Sequence, residues 1–282
     1  MQIRIGNDQL SAVIDSTGSE LISLQSREQE LLWEAGPEWA RHAPILCPVI
    51  GRVAEDVIRH NGLRYPVTQH GFVRDSGFTV VRSAPDSTHL RLDHHPEDAT
   101  GFPFPFALET QWHVAARQLT VTFILTNSGH SPLPASLGWH PAFGWKRDED
   151  LDLVFERPET GSTRRVNSEV HLTHERYDSP LKGNSLRLTE ELLSEGALIF
   201  ESLNSRTVRL VSSDGPVLSM AFRGFPHLAV WKKPGADFVC LEPWSDLPHE
   251  EGERRELSSV PTELLMPGAS KEHSCRLRIH GK

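Results

Sequence analysis

One carboxylate, two histidines and two arginines in this chain have neighbours that could turn them toward a ligand. Glu242 closes the apolar run Phe238-Val239-Cys240-Leu241-Glu242-Pro243-Trp244. His140 lies in Ser136-Leu137-Gly138-Trp139-His140-Pro141-Ala142-Phe143, among aromatics. His70 sits in Gln69-His70-Gly71-Phe72-Val73-Arg74, and Arg52 follows Gly51 at the end of a second apolar run. A carboxylate and an imidazole with pKa values brought towards neutrality can take a proton at one point and give one at another. Arginine's fork of donors suits hydroxyls, carboxylates or phosphate. Trp139, Phe143 and Trp145 offer aromatic faces for a pocket wall.

Each residue also has a plainer reading. Glu242 could be a strand-end carboxylate facing water. Arg52 could pair with Glu55 or Asp56 on the surface, where charged groups usually stay. His70 could belong to a solvated turn. His140 could be a core histidine satisfied by backbone.

The elements that must hold these residues read as short strands. Alternation places Phe238, Cys240 and Glu242 on one face of a strand. Pro243 has no N–H to donate, so the ladder is expected to stop there. That leaves Glu242 at a strand end, partly enclosed, where a carboxylate pKa rises. Val57 to His60, Asn61-Gly62 and Leu63 to Val67 read as a hairpin with a type I′ turn. Phe106 to Ala115 and Gln118 to Thr126 form the longest hairpin. Thr189 is a helix N-cap ahead of Glu190 and Glu191. Gly36 to Ala40 could form one helical turn, with Pro37 first. Leu31-Leu32-Trp33 reads as a strand, and His94-His95 as an exposed turn. About twenty short strands with one or two short helices indicate an all-β, antiparallel protein. No repeat or linker divides residues 1–282, so a single domain is expected.

Composition narrows the partners. The net charge of −9 provides no basic field for nucleic acid. Cys47, Cys240 and Cys275 are odd in number and far apart, as in a reducing compartment. The N-terminus alternates like a strand instead of carrying a signal peptide's apolar run. No run approaches the ~18 apolar residues of a membrane span. A cytoplasmic location is therefore expected. Fifteen histidines include no H-E-x-x-H or comparable metal cluster.

Four of the pieces occur in the order Gly51-Arg52, Gln69-His70-Gly71-Phe72-Val73-Arg74, His140-Pro141-Ala142-Phe143 and Cys240-Leu241-Glu242-Pro243-Trp244. This order resembles the aldose 1-epimerase (galactose mutarotase-like) family. Leu264-Leu265-Met266-Pro267-Gly268 and the strand after it are similar to the family's C-terminus. The resemblance implies an antiparallel β-supersandwich with a sugar cleft. It implies Glu242 as general base, His140 as general acid, His70 as a second site histidine and Arg52 as a binder of hydroxyls. Gln69, Trp139 and Phe143 complete the expected site. The implied substrate is an aldohexose, and no metal or organic cofactor is needed.

The run Gly51-Arg52-Val53-Ala54-Glu55-Asp56 departs from the Gly-Arg-x-x-Asn-Arg of the galactose-type branch. Gln69-His70-Gly71-Phe72-Val73-Arg74 is more similar to the hexose-6-phosphate epimerase branch. That likeness implies Arg74 as a ligand for a phosphorylated or acidic sugar. Two other readings stand beside these. A glycoside hydrolase needs a second carboxylate ~5–9 Å from Glu242, and Glu109, Asp214 and Asp246 are candidates. A carbohydrate-binding protein on the same sandwich would need no catalysis.

Overall fold

A computed structural model describes residues 1–27, 29–98, 101–146, 149–253, 256 and 264–280. The alternating apolar runs form twenty-two strands among the described residues, and the named sheets are antiparallel throughout. Gln2–Gly6, Ser11–Asp15, Glu20–Ser26 and Gln29–Glu30 make a sheet in chain order. A nine-stranded sheet is built around the hairpin Phe106–Ala115 and Gln118–Asn127, with Ser270–Ile279 beside it. In a seven-stranded sheet, Phe238–Trp244 runs through the middle. It pairs with His227–Trp231 on one side and with Gly138–Trp139 and Ala142–Gly144 on the other.

Local chemistry explains the connections. Asn61 (φ 52°) and Gly62 (φ 72°) take the two left-handed positions of a type I′ turn between Val57–His60 and Leu63–Pro66. Thr189 Oγ1 accepts from Leu192 N–H at 3.1 Å and caps the helix Glu190–Ser194. Two expected elements do not form. Gly36 to Ala40 makes a turn, closed by Trp39 N–H to Gly36 O at 3.2 Å, and not a helical segment. Leu31 to Trp33 contributes only a single bridge, Leu32 to Phe143. His94 is buried, with Nε2 2.9 Å from Phe102 O, so the His94-His95 pair is not an exposed turn.

The core lies between the inner faces of the nine- and seven-stranded sheets. Leu108, Val121 and Phe123 from one meet Leu228, Val230, Val239 and Leu241 from the other in a single cluster. The outer face of the seven-stranded sheet carries two smaller clusters. Phe238, Cys240 and Ala142 form one, packed by Trp33, Trp39 and Trp231. Trp244, Ala229, Leu46 and Ile199 belong to the other. Glu242 is the position between Cys240 and Trp244 on that face.

The strand does not stop at Pro243. It continues to Trp244, with Leu228 opposite Pro243 and His227 opposite Trp244. Glu242 is therefore inside a strand and 1% exposed, not at a half-enclosed end. Proline is tolerated because of where it falls. Leu241 N–H donates to Pro141 O and Ser245 N–H to Leu137 O, so this side of the strand faces two short segments. Pro243 lies at the interruption between them, where a missing donor costs least.

Candidate active site

Alternation delivers Glu242 and His140 to the same outer face. Counting from His140, Ala142 shares that face while Trp139 and Phe143 point into the core. The His140 backbone is fixed by its N–H to Pro44 O at 3.0 Å. Residues 42–44 are held in turn by Glu20 Oε1, which accepts from His42 N–H at 2.7 Å and Ala43 N–H at 2.9 Å. The result places His140 Nε2 3.2 Å from Glu242 Oε1, with both side chains buried.

His70 enters from a loop that only a glycine permits. His70 and Gly71 both have positive φ, and a Cβ on Gly71 would stand 2.1 Å from Cys47 O. His70 N–H donates to Gly51 O, and His70 O accepts from Cys47 N–H. Its Nδ1 accepts from Gly51 N–H at 3.1 Å, which leaves Nε2 as the protonated nitrogen of a neutral ring. The His70 and His140 rings stand edge to face at 5.8 Å.

These three side chains line a cavity of about 630 Å³ together with Gln69, Arg74, Trp39, Trp231 and Trp244. Trp39 stacks on the His140 ring at 5.0 Å, and Trp231 meets it edge-on at 5.6 Å. Val166 to Ser168 and Ser194 to Ala197 form the far side. A larger groove of about 730 Å³, lined by Phe143, Trp145 and Asp214, lies elsewhere and contains none of the site histidines.

Burial sets the electrostatics. It pushes the Glu242 carboxyl well above the usual range and the His140 and His70 imidazoles down. Arg74 and Arg41 lower both histidines further. The Trp244 indole offsets part of the Glu242 rise, although it stands outside hydrogen-bond geometry. Several buried atoms here make no hydrogen bond within the protein: Glu242 Oε2, His140 Nδ1, Trp244 Nε1 and Arg74 Nε, the last lying 3.7 Å from Asp75 Oδ2. Such groups are costly in a folded chain, and their gathering at one cavity suits a hydroxylated ligand.

The structure brings some of the expected residues to one cavity and places others elsewhere. Glu242, His140, His70, Gln69 and Arg74 come together. Trp139 does not: it is fully buried, donates from Nε1 to Ala43 O at 3.1 Å and packs on Trp112 and Phe123. Phe143 is buried in the core and borders the other groove. Arg52 points to a side depression, where Nε and Nη2 each bond Asp56 at 2.6 Å. Glu109 is bonded by His89 and Arg91, and neither Asp214 nor Asp246 borders the site cavity. The true walls, Trp39 and Trp231, carried a signal only in the case of Trp231. It shares a face with Ala229, the residue opposite Glu242.

The antiparallel sandwich, with its buried His140–Glu242 pair, matches the fold of known carbohydrate epimerase relatives. The family model for aldose 1-epimerase matches residues 1–248. The chain belongs to the aldose 1-epimerase family. A galactose mutarotase-like protein from Lactobacillus casei superposes with a TM-score of 0.92 at 29% identity, covering 99% of this chain and 100% of its own. A galactose mutarotase related enzyme from Lactobacillus acidophilus gives 0.89 at 25% identity, covering 100% and 98%. An aldose epimerase homologue from C. elegans gives 0.74 at 15% identity, covering 99% of each, and speaks to the fold alone. No curated protein sequence matches the chain. Among the described residues, no helix is long and apolar enough to cross a membrane.

Proposed function

We propose that this protein interconverts the α and β anomers of an aldose by acid–base opening and closing of the sugar ring. The observation that supports this reading is the direct approach of His140 Nε2 to Glu242 Oε1 in the floor of an aromatic-walled cavity. Burial favours a neutral pair, so one proton is shared between carboxyl and imidazole. Its transfer to His140 creates a base and an acid together. Glu242 then takes the proton of the anomeric hydroxyl while His140 protonates the ring oxygen, and the C1–O bond opens. The C1–C2 bond rotates, and both proton transfers reverse as the ring closes on the other face. His70, neutral with Nε2–H, acts as a hydrogen-bond donor beside the ring oxygen. Trp39 and Trp231 cover the C–H faces of the sugar.

Polarimetry on freshly dissolved α-glucose and α-galactose tests this, with Glu242→Gln alongside. The expected result is acceleration that the variant loses by about 10²–10⁴-fold. Binding without acceleration, unaffected by Glu242→Gln, would favour a carbohydrate-binding role.

Arg74 favours a narrower substrate reading. It lines the cavity, is held by Nη2–H to Gln69 O at 2.6 Å, and its Nε makes no hydrogen bond but lies 3.7 Å from Asp75 Oδ2. Burial lowers its pKa, Arg41 adds to this, and Asp75 and Glu20 oppose it. A guanidinium in the wall of a sugar site suits a phosphorylated or acidic aldose. Comparing glucose with glucose 6-phosphate on wild type and Arg74→Ala tests this. Equal rates unaffected by the variant would remove it.

A further inference from the structure

We propose that His140, Cys240 and Glu242 bind a thiophilic divalent cation such as Zn²⁺, and that the bound ion blocks the proton-transfer pair. One donor atom from each residue lies within 4.8 Å of the others, and all three side chains are buried. Cys240 and Glu242 share a strand face two positions apart, and His140 reaches them from the neighbouring segment. Imidazole nitrogen, thiolate sulfur and carboxylate oxygen are a zinc-type donor set, with a fourth position left towards the cavity. Zinc bonds of about 2.0–2.3 Å imply ligand separations somewhat shorter than the present span, so side-chain adjustments of about 1 Å would complete the site. Glu242 Oε2 and His140 Nδ1 make no hydrogen bond within the protein, so each group keeps a donor atom that the His140–Glu242 contact does not use.

Charge favours the ion once it is inside. A dication with one thiolate and one carboxylate is neutral overall, and a neutral assembly is the form that burial tolerates. Binding breaks the Cys240 S–H bond and forms an S–metal bond, and the proton leaves to solvent. The proton shared by Glu242 and His140 leaves as well. No redox change is involved, and affinity rises with pH because protons are released. Cys47 and Cys275, also buried and free, belong to no such cluster among the described residues.

The inhibitory consequence rests on the anomer-exchange reading, whereas the binding itself does not. Two measurements therefore separate the two. Co²⁺ titrated into the full chain reports sulfur ligation through a near-ultraviolet charge-transfer band, and calorimetry with Zn²⁺ counts the ions. One equivalent with that band is expected, with the band lost and affinity at least tenfold weaker in Cys240→Ala and Cys240→Ser. Thermal unfolding confirms that both variants are folded. Zn²⁺ should inhibit anomer exchange, with relief by EDTA, and each variant, measured against its own uninhibited rate, should tolerate at least tenfold more zinc. No cobalt band, or binding that both cysteine variants retain, would overturn the site. A cobalt band in a protein without anomer exchange would keep the site and remove the inhibitory role.

Discussion

His140 Nε2 stands 3.2 Å from Glu242 Oε1, and burial pulls the two groups in opposite directions: the carboxyl pKa rises and the imidazole pKa falls. Both shifts penalise charge, so the chain gives up stability in order to hold an ionisable pair away from water.

That penalty has a sign that can be measured. Folding raises Glu242 above its ordinary 4.5, so the folded chain binds this proton more tightly than the unfolded one. Its stabilising contribution is present below about pH 4.5 and lost as pH rises through the raised value. Glutamine is neutral throughout. Glu242→Gln should therefore melt several degrees above wild type at pH 8, at about 2–4 °C for each kcal/mol. The gap should close near pH 4. His70 and His140 act oppositely. Their lowered pKa values remove stability from both proteins as pH falls below 6.5. Thermal melts across pH 4–8 check both trends, and a gap independent of pH would contradict the assignment.

Two tryptophans separate packing from binding. Trp139 is fully enclosed, so Trp139→Ala should cost about 3–5 kcal/mol of stability. Trp39 is half-buried and stacked on His140 at the cavity wall. Trp39→Ala should raise KM about 3–10-fold, as expected for losing an aromatic contact, with a smaller change in unfolding midpoint. Urea titration and anomer-exchange kinetics on the two variants give the comparison.

Gly71 has no permitted substitute. An added Cβ would meet Cys47 O at 2.1 Å, and φ of 74° disfavours any side chain. Gly71→Ala should lose about 2–4 kcal/mol. It should also lower kcat/KM, since Cys47 N–H holds His70 O at 3.1 Å. A stable, fully active variant would show that the loop re-forms without this geometry.

Arg52 and Arg74 should behave differently. Arg52 is partly exposed and bound to Asp56 on both oxygens. Arg52→Ala is expected to change KM less than twofold, because exposed pairs contribute little. Arg74→Ala, from a half-buried wall position, should raise KM for an anionic sugar much more. Kinetics on the pair with one phosphorylated substrate decide it.

Much of the fold was written in local pattern. Alternation set the faces of Phe238–Trp244, Asn61-Gly62 marked the hairpin of Val57–His60 and Leu63–Pro66, and Thr189 marked the helix start. These depend on neighbours within a few residues, where backbone geometry leaves few options. The same periodicity, applied from His140, already sends Trp139 and Phe143 to the opposite face. What it does not tell is which face of a strand buried on both sides borders a cavity. That depended on Trp39 and Trp231, which meet His140 across about a hundred residues of chain on either side. Whether Pro243 ends a strand depended on an interruption in its neighbour, and whether Arg52 faces a ligand depended on Asp56. The sequence by itself determined the residue types and the strand faces. Tertiary packing decided which buried polar atoms were left without hydrogen bonds at a common cavity, because that burial comes from chain segments distant in sequence.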